Sequence, residues 1–277
     1  MPLVPMKDVL DAAAPQKTAV PAFNIDNLEI LQSLLMAAEA EQLPVILSVG
    51  QGAIRIGRLK PLAAAVHQMA SETSVPVVLH LDHGASFEQT IQCLRAGFTS
   101  VMYDGSRLPL EENIAVTRQV VAAAHAVGVS VEAELGAIGG AEDGIGGGSG
   151  GKVSVDQVSA FLDGVGVDAL AVAIGNAHGL YKEKPHLDFD LLRSIEALPK
   201  AVPHLVLHGG SGLDEEAIDT AIDCGIRKIN VATEIRLAYL KGTRAATSGD
   251  IYETIASARE AVVEIARQKL RQFARKA

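Results

Sequence analysis

Short apolar runs alternate along the whole chain with longer stretches whose apolar positions recur every three to four residues. Short β-branched runs bounded by polar turns signal strands, and a 3.6-residue stripe signals an amphipathic helix. Their alternation predicts βαβ units and a parallel sheet. The strands are expected at residues 19–23, 45–49, 77–81, 100–103, 130–134, 169–174, 205–207 and 228–231. About eight such units close a (β/α)8 TIM barrel, which typically takes about 250 residues. The 277-residue chain is therefore read as one α/β barrel domain spanning residues 1–277, with no linker to mark a second.

The expected helices carry recognisable ends. Asp26 stands where it can cap a helix running to Glu41, with the stripe Leu28, Leu31, Leu34, Leu35, Ala38. Ser86 and Gln89 have capping-box spacing, and Gly97 follows as a stop. Glu111 and Glu112 occupy the first turn of a helix that stops at Gly128. Asp214, Glu215 and Glu216 open one that stops at Gly225. A last long helix covers about 251–273. Residues 136–152 break the rhythm, with glycine at more than half of the positions. A loop that long inside a compact domain is more often a functional lid than an ordinary connection.

Composition narrows the picture further. Tryptophan is absent and aromatics are 4% of the chain, against 48% hydrophobic residues overall, so the core must be aliphatic. A net charge of −9 disfavours a nucleic-acid backbone as partner. It leaves room for a small phosphorylated substrate bound by local amides. Cys93 and Cys224 fall on expected helices and read as buried thiols rather than a disulfide or thiolate metal site. The N-terminus lacks a signal-peptide pattern, and no apolar run reaches membrane-spanning length. The expectation is a soluble cytoplasmic protein with no membrane partner.

In such a barrel the chemistry sits at the C-terminal ends of the strands. Those ends read Asn24, Ser48, Asp82 with His83, Asp104, Glu134, His178, His208 and Asn230. Three of them carry histidine, and three neutral imidazoles with an open fourth position are a common way to hold catalytic zinc. His83, His178 and His208 are accordingly the expected metal ligands. His80, on the same strand face as Asp82 but deeper, reads as a core histidine, and His67 and His125 lie within outer helices. The seventh strand runs into His208-Gly209-Gly210-Ser211-Gly212 ahead of a helix opening at Asp214. Glycine amides and a helix N-terminus suit a phosphate, and barrels often bind phosphate after strands seven and eight. The eighth strand ends in Asn230-Val231-Ala232-Thr233, which can close the other side.

Together these residues resemble the class II, metal-dependent ketose-bisphosphate aldolases. The resemblance is carried by PAFNIDNLE (21–29), HLDHG (80–84), EAELGAIGGAEDG (132–144), AIGNAHGLY (173–181), HGGSGL (208–213) and KINVATE (228–234), in collinear order. It implies a zinc-dependent aldol cleavage and condensation of a ketose 1,6-bisphosphate, fructose or tagatose, giving dihydroxyacetone phosphate and glyceraldehyde 3-phosphate. It implies Asp82 as acid/base at the carbon-4 hydroxyl and Glu142, on the glycine-rich lid, as a second, mobile acid/base. Asp104 and Glu134 resemble positions that hold a second or displaced divalent ion. Gly179, Gly209, Gly210, Ser211, Asn230, Ala232 and Thr233, with Asn24 and Ser48, would surround the substrate, and a monovalent cation often sits near the phosphate. Arg259 resembles a contact to the distal phosphate made across a homodimer or homotetramer interface.

Two departures stand out. The stretch after Gly144 is more glycine-rich than in relatives, and Ala232 stands where fructose-type members often carry Asp or Asn. A related phosphorylated keto-sugar or keto-acid, such as 6-phospho-5-dehydro-2-deoxygluconate, is the alternative substrate. A Schiff-base aldolase needs a lysine at a strand exit, and Lys228 precedes its exit. A metal-dependent hydrolase of this fold often opens with an HxH pair, absent from the first strand. A sugar-phosphate sensor would not require both Asp82 and Glu142.

Overall fold

The computed structural model describes residues 3–142, 145–148, 151, 153–181 and 183–276, with the side chains of 141, 142 and 145–148 outside that set. Helix α1 (Met6–Ala13) leads into strand β1 (Val20–Asn24), followed by α2 (Leu28–Glu41), β2 (Val45–Val49), α3 (Gln51–Arg55), α4 (Leu59–Ala70) and β3 (Val77–Gly84). Then come α5 (Phe87–Arg95), β4 (Ser100–Tyr103), α6 (Leu110–His125), β5 (Ser130–Leu135) and a hairpin of β6 (Gly139–Glu142) and β7 (Ile145–Gly148). The rest is α7 (Val155–Gly164), β8 (Ala169–Val172), β9 (Ala177–His178), α8 (Phe189–Glu196), β10 (His204–Leu207), α9 (Glu215–Asp223), β11 (Ile226–Val231), α10 (Thr233–Ala245) and α11 (Ile251–Phe273).

Among the described residues, eight parallel strands close in the order β1, β2, β3, β4, β5, β8, β10, β11, the TIM barrel expected from the sequence. These strands are buried along almost their whole length, and parallel strands covered on both faces are read as near-continuous apolar runs for that reason. The barrel interior is layered. Its floor is apolar: Val20, Ala22, Ile46, Val78, Ala169, Ala171 and Val206 meet Met6, Val9, Leu10 and Ala13 of α1. Helix α1 thus plugs the N-terminal mouth. The upper half is polar, with Asn24, Ser48, His80, Asp82, Ser100, Glu132, Glu134, His208, Lys228 and Asn230 all buried. A second, larger apolar layer fills the space between strands and helices.

Three expectations about local structure change. Asn27, not Asp26, caps α2: it sits in extended backbone and its side chain accepts from Ile30 N. Asp26 is engaged elsewhere, accepting from Arg236 Nε and Nη2 at 2.7 and 3.1 Å. Ser86 caps α5, but Gln89 turns to Ala85 N and Gln51, so only half of the box forms. A full box belongs to Ser154 and Gln157 at α7. The glycine-rich stretch is a β-hairpin rather than a plain loop, and β6 pairs in parallel with β9, Gly139 opposite Ala177 and Gly140 opposite His178.

Candidate active site

Three strand exits bring His83, His178 and His208 together. Their ring centroids lie 4.7 to 5.8 Å apart, and one ring nitrogen of each lies within 4.8 Å of the others. Each exit has its own local cause. At the end of β3 the ladder to β4 shifts register between Leu81 and Gly84, and His83 adopts φ 50°. That left-handed backbone costs a non-glycine residue about 1–2 kcal/mol. It is held by Gln51 Nε2, which donates to His83 O at 2.9 Å, and by Gly84, where a Cβ would run into Met102 O. His178 follows a turn built by Gly175, φ 94°, and Asn176, whose Oδ1 accepts from Ile174 N. Asn176 Nδ2 donates to His208 O at 2.9 Å, while Tyr181 Oη accepts from Ala177 N and donates to Gly209 O. The two histidine-bearing exits are stapled to one another.

His208 Nδ1 is 3.1 Å from His83 Nε2, close to the roughly 3.3 Å separation that two nitrogens about 2.0–2.1 Å from one tetrahedral zinc would have. The opposite nitrogens are each turned to a carboxylate, His83 Nδ1 to Asp104 Oδ2 and His208 Nε2 to Glu132 Oε1, both at 2.9 Å. Histidines that bind metals are commonly oriented in this way. A second grouping, His83, Asp104 and Glu134, also has donor atoms within 4.8 Å of one another, and Glu134 Oε2 is buried without a hydrogen bond. The donor set fits a divalent cation.

The electrostatics are those of a carboxylate-rich pocket that attracts positive charge. Burial, then the neighbouring Asp104, pushes Glu134 up to about 8. Burial opposes charge on His83, yet Asp82, Asp104 and Glu134 raise the imidazole well above its ordinary value. Burial holds His208 below the ordinary range, so its imidazole is neutral, as a metal ligand must be. Burial also opposes charge on Glu132, but Lys228 and then His208 bring it down to about 2. Burial also opposes charge on Asp82, but the positive charges of His83 and Lys228 hold its carboxyl well below the usual range.

Asp82 is buried beside the histidines with both oxygens engaged. Asn24 Nδ2 donates to Oδ2 at 3.0 Å and Asn230 Nδ2 to Oδ1 at 3.1 Å. Asn24 Oδ1 and Ser48 Oγ are buried without hydrogen bonds at the neighbouring strand ends, two polar atoms available to a bound substrate. Gly179, Gly209, Ser211, Asn230, Ala232 and Thr233 line one small cavity together with His178. Gly210 sits between them, its space closed by Ile229 and Asn230 O. At Gly209, φ 68°, a side chain would strike Ala177 O. The helix N-terminus at this cavity is that of α10, where Ala232 is the N-cap and Ser211 Oγ accepts from Glu234 N. The α9 terminus anticipated from Asp214 is instead closed by Asp214 itself, which accepts from Ala217 N.

Arg259 lies on α11 and is not among the residues lining that cavity. It borders a larger one, about 1200 Å³, with Met36, Leu213 and Glu234, and its Nε is buried without a hydrogen bond. The Glu142 side chain lies outside the described residues. Sequence reasoning passed over Glu132, Asn176, Tyr181 and Gln51 and weighed Lys228 only as a Schiff-base candidate; Glu132 and Lys228 stand one strand-face step below Glu134 and Asn230. No helix among the described residues is long and apolar enough to cross a membrane.

Comparison with known proteins identifies the family. The family described as class-II fructose-bisphosphate aldolase matches residues 4–277. The chain is 44% identical over 281 residues to the fructose-bisphosphate aldolase of Geobacillus stearothermophilus, covering 99% of this chain and 97% of that one. It is 43% identical over 284 residues to a probable fructose-bisphosphate aldolase of Bacillus subtilis, covering 99% and 98%. Among solved structures, the YdjI aldolase of Escherichia coli K12 matches with a TM-score of 0.87 at 34% identity, over 98% of this chain and 97% of that one. The chain belongs to the class II fructose-bisphosphate aldolase family.

Proposed function

We propose that this class II aldolase, a lyase, splits fructose 1,6-bisphosphate into dihydroxyacetone phosphate and glyceraldehyde 3-phosphate and runs the reverse condensation, with zinc held by His83, His178 and His208. The observation that carries the reading is the convergence of those three histidines beside Asp82 and the glycine cavity. The names borne by its relatives favour the fructose isomer. Lewis-acid stabilisation of the negative charge that develops on the ketone half is what the ion supplies when bound.

The protein's own residues do the rest. Asp82 takes the proton of the carbon-4 hydroxyl in cleavage and returns it in condensation. The Asn24 and Asn230 amides fix its carboxylate and leave it lone pairs for that hydroxyl. Amides of Gly179, Gly209, Gly210 and Ser211 and the α10 N-terminus bind the phosphate of the ketone half, with Thr233, Ala232 and a monovalent cation alongside. Asn24 Oδ1 and Ser48 Oγ orient the sugar hydroxyls. Glu142, on the hairpin, exchanges the proton of the triose, and the hairpin excludes water that would quench it early. Asp104 and Glu134 share His83 as a second ion site. In the same reading the enzyme is a single-domain cytoplasmic homodimer or homotetramer, and the Arg259 guanidinium, whose Nε is buried without a hydrogen bond while its Nη2 donates to Met36 Sδ, reaches the distal phosphate of a neighbouring subunit.

The test is kinetic. A chelator should abolish cleavage of fructose 1,6-bisphosphate and added zinc should restore it, while borohydride with substrate should not inactivate. Activity that survives complete metal removal overturns the metal assignment, and a faster rate on tagatose 1,6-bisphosphate overturns the sugar assignment.

A further inference from the structure

Beneath the histidines lies a buried lysine that the reaction as described above does not use. Lys228 is fully buried on β11, two residues before Asn230 and therefore on the same inward face. Its Nζ donates to Asn230 Oδ1 at 2.7 Å and lies 2.8 Å from Glu132 Oε2 in an ion pair. The ammonium is fully buried one layer below the strand exit, with Asn230 and Glu132 on it. Lys228 is not a Schiff-base nucleophile.

Its two partners lead to two different parts of the site. An ammonium group only donates, so the Asn230 atom facing it must be the oxygen. The amide nitrogen is then turned the other way, to Asp82 Oδ1 at 3.1 Å and towards His208 Nδ1 at 3.4 Å. On the other arm, Glu132 Oε2 meets Lys228 while Oε1 receives His208 Nε2 at 2.9 Å. A carboxylate only accepts, so the His208 proton is fixed on Nε2, and Nδ1, 3.1 Å from His83 Nε2, keeps the lone pair. His80 closes the network from the side, its Nδ1 2.8 Å from Ser100 Oγ and its Nε2 3.6 Å from Glu132 Oε2.

We infer that Lys228 is a positioning residue of this aldolase: one buried ammonium sets the tautomer and aim of the ligand His208 through Glu132, and the aim of the acid/base Asp82 through Asn230. A lysine placed only to neutralise Glu132 would not need the second arm. A lysine placed only to orient Asn230 would not need a carboxylate that itself holds a metal ligand. Both arms start at one atom, so ligand and acid/base are set together.

The kinetic part of the test rests on the aldolase reading above, whereas the spectroscopic part does not. In metal-free protein labelled with ¹⁵N-histidine, wild type should show His208 with its proton on Nε2. Lys228→Met keeps the side-chain volume and removes both contacts. It should give a mixed His208 tautomer, weaken zinc about 10–100-fold, the usual effect of losing such outer partners, and lower kcat at least 100-fold with KM changed less than about threefold. Lys228→Met with Glu132→Gln leaves no unpaired buried charge, so it should recover the thermal midpoint but not kcat, because the Asn230 arm is still missing.

Wild type without cleavage activity would sink the aldolase reading and leave the tautomer result standing. An unchanged His208 tautomer with unchanged zinc affinity in Lys228→Met overturns the positioning role. So does a folded double variant whose kcat is within threefold of wild type, and that second measurement decides the matter if the single variant does not fold.

Discussion

The bridge between the glycine-rich hairpin and the metal-ligand strand can be broken at one atom. Gly140 has φ 76° and stands opposite His178 in the β6–β9 ladder. A methyl group placed there would run into the His178 carbonyl oxygen and come within 2.9 Å of its nitrogen. Both are backbone atoms, so no rotamer change relieves the contact. For Gly140→Ala the left-handed backbone alone costs about 1–2 kcal/mol. Opening the bridge forfeits one or two backbone hydrogen bonds at about 0.5–1.5 kcal/mol each. The reduced entropy of the unfolded chain returns only about 0.4–1 kcal/mol. The remaining cost, about 2–3 kcal/mol, falls on the hairpin, because neither β6 nor β9 belongs to the barrel ladder.

Such a local cost depopulates the docked hairpin about 30–150-fold, at 1.4 kcal/mol per factor of ten. The thermal midpoint should move little, while zinc affinity falls through His178 and turnover falls through the position of residue 142. Proton exchange into dihydroxyacetone phosphate should fall more than cleavage, since exchange depends on the hairpin and cleavage on Asp82. The assays are a coupled cleavage rate, deuterium exchange read by NMR, and zinc competition against a chelator. Gly128→Ala is the control: φ is 74° there but nothing lies within 4 Å of the added carbon, so it pays only the backbone cost and should turn over as wild type. Wild-type cleavage and exchange in Gly140→Ala would refute the coupling of hairpin to metal ligand.

Asp82→Ala should lower kcat roughly 10²–10⁴-fold, the range for a positioned acid/base, with zinc affinity within a few-fold of wild type; a coupled assay showing near-normal turnover removes Asp82 from its role. Gly242→Ala sets two effects against each other. Alanine is the better helix former by about 1 kcal/mol, but its Cβ would sit 2.5 Å from Ser257 O and 2.6 Å from Ala258 Cα, backbone atoms of α11. Overpacking costs about 1–3 kcal/mol and should win, lowering the midpoint by about 2–4 °C per net kcal/mol; an equal or higher midpoint in a thermal scan contradicts that balance.

Much of the barrel was legible because its strands are buried on both faces, which writes them as largely aliphatic runs, interrupted in β3, β5 and β11 by ionisable residues. The expected bounds of β2 and β4 coincide with the observed ones, and α11 is where its stripe placed it. Strand β8 stops two residues short of the expected end because Asn176 Oδ1 takes Ile174 N out of any ladder. The hairpin was not legible. Residues such as Gly139-Gly140 and Ile145-Gly148 carry almost no side-chain signal for a strand, and their pairing with Ala177 and His178 is long-range. Helix α1, with its buried stripe Met6, Val9, Leu10, Ala13, was not anticipated from the sequence. That it fills the floor of the barrel is a matter of where the chain's ends meet the sheet.

The site shows a similar division, with a physical rule behind it. A strand exit announces itself, because the last inward-facing residue before a loop is the one a substrate can reach. What supports that residue lies two positions earlier, on the same face and one layer down. His80 precedes Asp82, Glu132 precedes Glu134 and Lys228 precedes Asn230 by that step, and Glu132 meets both of the other deeper residues. A lone histidine, glutamate or lysine inside a strand run looks like an unfavourable burial when taken singly. Taken together their charges balance: the Lys228 charge is matched by Glu132, and the second Glu132 oxygen is spent on His208. In β1, β2 and β10 the same deeper position is Ala22, Ile46 and Val206, all apolar and part of the floor. The polar cluster therefore crosses the barrel interior between β3, β5 and β11, strands that are not neighbours in the closed sheet, and these deliver the acid/base, its amide and the carboxylate near the metal ligands. A barrel whose interior served only packing would have no reason to bury a lysine, a glutamate and a histidine in contact there; holding reactive groups in fixed orientations is the reason the contacts supply.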